Sequence, residues 1–176
     1  MGIIDYPSLV NSIRDHAGLA RLIRALNRAL TALGYVSYPL LVVLAALMQQ
    51  DFLLPCIVVP GCSFILVTVL RYMVDETRPF VKLSYDPLLT CDKTGRSFPS
   101  RHAFCMFMIA ASWLALAKYL NWASLPIDIF MCVLFASAVL LALIRVLSGV
   151  HYLKDVIAGA LFALILAHIG YVMIFG

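Results

Sequence analysis

The chain has 176 residues, of which 64% are apolar and only 12% charged, against the roughly 25% charged residues of soluble domains. That excludes an ordinary soluble protein, because uncharged runs such as 52–70 and 156–175 approach the ~20 residues that cross a bilayer as helix. The formal net charge of +4 arises from arginines and lysines flanking those runs, and no nucleic-acid partner is expected.

Residues 8–28 predict a helix that lies on the membrane, with Ser8 as its N-cap after Pro7. At 100° per residue Arg14, Arg21, Arg24 and Arg28 share a stripe, opposite Leu19, Leu22, Ile23 and Leu26, the pattern of an amphipathic interfacial helix. Residues 1–28 lack the uninterrupted apolar stretch of a signal peptide. Five transmembrane helices are predicted next, at 30–48, 52–72, 102–119, 127–146 and 155–175, with a polar loop over 73–100. The fold class expected is an all-α membrane protein: a five-helix transmembrane bundle behind an interfacial helix, forming one domain over 1–176. In the last span Gly159, Ala163 and Ala167 recur every four residues, a spacing that lets helices approach closely in lipid. His168 lies deep in the same span and reads as an inter-helix hydrogen-bonding residue. None of the five cysteines forms a CxxC pair or a metal-ligand spacing, so neither a disulfide framework nor a metal site is indicated.

Three motifs stand at the ends of these spans: Arg71-x6-Arg78-Pro79, Pro99-Ser100-Arg101-His102, and Arg145-x5-His151-x3-Asp155. An odd number of spans puts the termini on opposite faces, and the same count puts all three motifs on one face. Guanidinium groups suit a phosphoryl group because they are planar, permanently charged and bidentate. Arg71 and Arg78 are two helical turns apart if the helix continues past the membrane, and Pro79 favours ending it. Ser100 and His102 open a span, where the helix dipole and free N–H groups favour an anion, and Ser100 is expected to cap that helix as well. Asp155, one turn from His151, is placed to fix one imidazole nitrogen and leave the other free to attack. Taken singly, Arg71 reads as a snorkelling residue and His102 as a satisfied interfacial histidine. Their joint placement with Arg145 is what points to a phosphate, and the membrane setting makes it a lipid phosphate.

Order and spacing over 71–155 resemble the type 2 phosphatidic acid phosphatase superfamily, whose pattern is Lys-x6-Arg-Pro, Pro-Ser-Gly-His and Ser-Arg-x5-His-x3-Asp. The resemblance implies metal-independent hydrolysis of a lipid phosphate monoester or pyrophosphate, without a cofactor. It implies His151 as the nucleophile that forms a phosphohistidine, Asp155 as its orienting carboxylate and His102 as the acid on the leaving oxygen. Arg71, Arg78, Ser100, Arg101 and Arg145 are the implied phosphate-binding residues. Arg71 stands where the family has Lys, Arg101 where it has Gly, and Ile144 where it has Ser. Substrates that fit are phosphatidic acid, phosphatidylglycerol phosphate and polyprenyl phosphates or pyrophosphates, acting in the cell membrane with no oligomer required.

Two other readings stay open. One is a non-enzymatic lipid-binding or scaffold protein; the other is a metal-dependent lipid phosphotransferase using Asp75, Glu76, Asp86 and Asp92. Beyond the site residues, the motif face carries Arg14, Arg21, Arg24, Arg28, Lys82, Lys93, Arg96 and Lys154, the opposite face Lys118 alone. Positive residues in short flanking segments mark the cytoplasmic side, so the N-terminus and the site are expected to face the cytosol.

Overall fold

The computed structural model describes residues 4–91 and 94–175, so Asp92, Lys93 and the first three residues of the expected N-terminal segment lie outside the described residues. Among those described, the chain is seven helices and no strand: α1 Tyr6–Asp15, α2 Ala17–Met48, α3 Gln50–Val74, α4 Pro79–Lys82, α5 Arg101–Tyr119, α6 Leu125–Leu147 and α7 Leu153–Phe175. Five of them, α2, α3 with its α4 extension, α5, α6 and α7, are long and apolar enough to cross a bilayer. The last four coincide with the predicted spans and α2 starts well before the first of them, and the chain is an integral membrane protein.

The N-terminal helix differs from the expectation. It is capped by Asp5, not Ser8: the Asp5 carboxylate accepts from the Ser8 amide at 3.4 Å and from the Ser8 hydroxyl at 2.7 Å. It then breaks at His16, and residues 17–28 belong to α2 rather than to a separate interfacial helix. Burial explains the break. Val10 and Ile13 of α1 and Ala20 and Ile23 of α2 join one apolar cluster with Leu88, Leu89, Ile144 and Val150. In a straight helix Val10 and Ile23 would lie about 20 Å apart; the kink brings both against the loops of the motif face. Arg14 leaves the stripe and donates to the Asp86 carbonyl at 2.5 Å. At 1.5 Å per residue the 32 residues of α2 extend about 48 Å, longer than a hydrocarbon core of about 30 Å. Its excess length carries Arg21, Arg24 and Arg28 beyond that core.

The central helix is α5, the most buried of the spans, packed on α2, α3, α6 and α7. Because α5 and α7 both run away from the motif face, they pack as parallel neighbours. The small-residue stripe makes this possible: Gly159, Ala163 and Ala167 are buried, and a Cβ on Gly159 would lie 2.6 Å from the Ser100 carbonyl oxygen. His168 departs from its expected role. It is exposed and makes no hydrogen bond to another described residue.

Candidate functional site

The three motifs converge at the motif-face end of α3, α5, α6 and α7, but not by the expected continuation of a helix over 71–78. Asp75, at φ 39° and ψ 43°, takes the left-handed conformation and ends α3, its amide bonded to the Arg71 carbonyl. Arg78 becomes the N-cap of α4, with Pro79 at the first helical position, where a missing N–H costs nothing. Proline here starts a helix instead of ending one.

Backbone bonds then tie the loop to itself and to the α6–α7 connection. Ser100 N donates to Asp155 O at 2.9 Å, Ser97 N to Glu76 O at 2.8 Å, and Leu88 N to Ser148 O at 3.0 Å. Tyr85 Oη donates to the Gly149 carbonyl at 2.8 Å. Gly149 has φ +72°, and a Cβ there would meet Tyr85 Oη at 2.7 Å and Val10 at 2.8 Å, so only glycine fits. Burial, with Tyr6 and Tyr152 nearby, holds the Tyr85 phenol above its ordinary pKa, which keeps it a donor.

His151 sits at the centre, 1% exposed, with Asp155 and Ser97 beside it at 0%. Its Nδ1 lies 3.4 Å from Asp155 Oδ2 and 3.3 Å from Ser97 Oγ. Ser97 Oγ donates to the same carboxylate oxygen at 2.5 Å, and the Tyr152 amide donates to it at 3.0 Å. With Nδ1–H directed at Asp155, Nε2 is the unprotonated nitrogen, and it lies 3.4 Å from an Arg78 terminal nitrogen. Burial first, then the charges of Arg78, Arg145 and Arg71, pushes the His151 pKa well below that of an ordinary imidazole. The ring is therefore neutral at physiological pH, with a lone pair on Nε2.

The four arginines are held differently. Arg71 donates through both terminal nitrogens to the carbonyls of Ser97, Pro99 and Arg96, which fastens the loop bearing Ser97 and Ser100. Arg78 donates to the Val150 carbonyl at 2.9 Å and the Gly95 carbonyl at 3.3 Å. Arg145 reaches Asn27 Oδ1 at 3.3 Å, while its Nε is buried with no partner. The Arg101 side chain makes no hydrogen bond to another described residue. Ser100 occupies the N-cap position of α5, yet its hydroxyl makes no capping bond and is buried and unpaired. Ser100 Oγ and Arg145 Nε are thus donors available to an oxyanion, joined by the first-turn amides of α5. His102 lies within electrostatic range of Arg145, His151, Arg101 and Arg78.

Arg101 and His102 also form the polar end of a cavity of about 430 Å³ between α2, α3, α5 and α6. Its walls include Gly34, Tyr38, Met106 and Ile109, and its rim residues Tyr35 and Phe64 are exposed. Two of the four acids of the phosphotransferase reading are engaged elsewhere, Glu76 pairing with Lys154 at 2.5 Å and Asp75 lying 3.9 Å from Arg96, and Asp92 lies outside the described residues. Among the described residues no three His, Cys, Asp or Glu side chains converge.

Sequence reasoning missed Ser97 and Asn27. Ser97 stands two residues before Pro99, a proximity that is a usable signal. Asn27 lies among the arginines of the N-terminal segment, where nothing local marks it.

A family model described as the PAP2 superfamily matches residues 52–176. The crystal structure of Aquifex aeolicus LpxE is 26% identical, with a TM-score of 0.68 over 97% of this chain and 98% of that one. The crystal structure of the PAP2-type phosphatidylglycerolphosphate phosphatase from Bacillus subtilis is 23% identical, with a TM-score of 0.65 over 96% of this chain and 91% of that one. No curated protein sequence matches the chain. With the family matched over everything from α3 onward and the whole bundle superposable on membrane relatives, this chain belongs to the PAP2 superfamily and is a membrane-embedded phosphatase.

Proposed function

We infer that the chain hydrolyses a lipid phosphate monoester or pyrophosphate through a phosphohistidine on His151. The observation that carries this reading is the His151 ring: neutral, buried, with Nδ1 beside Asp155 and Ser97 and Nε2 facing the Arg78 guanidinium. Nε2 attacks phosphorus as the bond from phosphorus to the lipid oxygen breaks, and His102 donates a proton to that oxygen. Water then attacks the phosphohistidine, a proton passes to His102, and inorganic phosphate leaves with the histidine restored. Arg78, Arg101, Arg145 and Ser100 face the phosphoryl oxygens, where fixed donors stabilise charge in the transition state. Arg71 adds positive charge while holding the loop.

The cavity of about 430 Å³ supports a lipid substrate, because it joins the polar end at Arg101 and His102 to apolar walls between the spans. The Bacillus subtilis relative acts on phosphatidylglycerolphosphate, and that lipid stands with phosphatidic acid and polyprenyl phosphates among the substrates of this reading. The excess of arginine and lysine on the motif face supports placing the N-terminus and site on the cytosolic side.

Phosphate release from that panel in detergent, with EDTA present, tests the proposal. At least one lipid should be turned over and inhibited by vanadate, with glycerol 3-phosphate at least 100-fold poorer in kcat/KM. Strict magnesium dependence would favour the phosphotransferase, and no release from any substrate would favour a lipid-binding protein.

A further inference from the structure

A second cleft, of about 470 Å³, opens at the far end of the bundle from the motifs, within the roughly 300–1,000 Å³ of small-ligand pockets. It lies between α5, α6 and α7, with Lys118 and His168 as its strongly polar lining residues. Its outer end, where α5 and α7 finish, is a set of packed rings. Tyr119 and Phe175 line it with centroids 4.8 Å apart, and both pack on Phe52, at 5.5 and 5.4 Å. Such a ring-packed end is pre-formed, not collapsible.

The two polar residues are the unusual feature. His168 is seven residues before Phe175, about 10 Å from the end of α7, and so sits at hydrocarbon depth. A polar side chain there without a partner costs free energy. Lys118, near the end of α5, is exposed and long enough to bend toward the same cleft. Neither side chain makes a hydrogen bond or ion pair with another described residue. Lys118 is the sole lysine or arginine of this face, and the acids of the face, Asp51 and Asp128, do not line the cleft. The lining therefore presents positive charge above an apolar slot floored by the small residues Ala111 and Ala115.

We propose that this cleft binds an anionic phospholipid of the leaflet opposite the catalytic site. Its phosphodiester meets Lys118 at the interface, its ester oxygens accept from His168 deeper in the cleft, and one acyl chain lies in the slot over Ala111 and Ala115. The site is separate from the substrate cavity, since Lys118 is 16 residues from His102, about 24 Å along the helix.

Native mass spectrometry of delipidated protein titrated with dioleoylphosphatidylglycerol tests this. Wild-type protein should retain one lipid more than Lys118→Gln, with at least a tenfold preference over phosphatidylcholine. Ala115→Trp, which fills the chain path, should lose the same lipid, and phosphate release by both variants should stay within twofold of wild type. Equal retention by wild type and Lys118→Gln, equal retention of phosphatidylcholine, or protein dimers in place of the lipid adduct would each overturn the proposal.

Discussion

Replacing Ser97 by alanine removes one oxygen from the most enclosed part of the site. Its hydroxyl donates to Asp155 Oδ2 at 2.5 Å and lies 3.3 Å from His151 Nδ1. All three residues are at most 1% exposed, so no solvent replaces the lost donor. Asp155 Oδ2 keeps the Tyr152 amide at 3.0 Å and the longer contact to His151 at 3.4 Å, while Oδ1 is already unpaired. A hydrogen bond to a charged group contributes about 1.5–3 kcal/mol. If that energy orients the imidazole in the transition state, its loss lowers kcat roughly 10- to 150-fold. Ser97 touches no substrate, so KM for the lipid should stay within about threefold. The assay is phosphate release across lipid concentration by purified Ser97→Ala, with folding checked by its thermal midpoint in detergent. Ser97→Thr, which restores the hydroxyl, should recover part of the rate. A folded Ser97→Ala enzyme with wild-type kcat would refute the positioning role.

His102→Ala should lower release from a lipid roughly 10²–10⁴-fold, and much less from an aryl phosphate whose leaving phenolate needs no proton; equal losses on both substrates would remove the acid role. The depressed pKa of His151 makes a signed prediction for stability. Below about pH 6.5 the unfolded chain protonates this residue and the native state does not, so stability falls with pH by up to about 1.4 kcal/mol per unit. Thermal midpoints in detergent between pH 7.5 and 5.5 should therefore fall less steeply for His151→Ala than for wild type, and parallel curves would contradict the buried neutral ring. For sidedness, Thr90→Cys, exposed in the motif-face loop, should resist a membrane-impermeant maleimide in intact cells and react after permeabilisation; labelling of intact cells would reverse the orientation.

The spans were legible because membrane helices announce themselves by uncharged runs, and the face of the motifs followed from counting them. What stayed hidden depended on distant partners. Nothing local shows that α1 must turn at His16 so that Val10 and Ile13 reach Ile144 and Val150. The helical reading across Arg71 and Arg78 failed at Asp75, whose left-handed backbone lets both arginines serve the same loop. Ser100 reads as a cap by position, and only the fold shows its hydroxyl unused for capping. Ser97 joins the histidine and its carboxylate from 54 and 58 residues away, a contact that spacing cannot reveal. His168 looked like glue between helices because polar groups in lipid usually find protein partners; here it lines an outer cleft.

The central claim is covalent catalysis by His151, and trapping the intermediate tests it most directly. Enzyme mixed with ³²P-labelled lipid substrate and denatured in alkali within milliseconds should carry label on His151, stable to base and lost in acid. His151→Ala, folded by its thermal midpoint, should carry no label and release no phosphate. Label on another residue, or phosphate release by His151→Ala at the wild-type rate, would contradict the account.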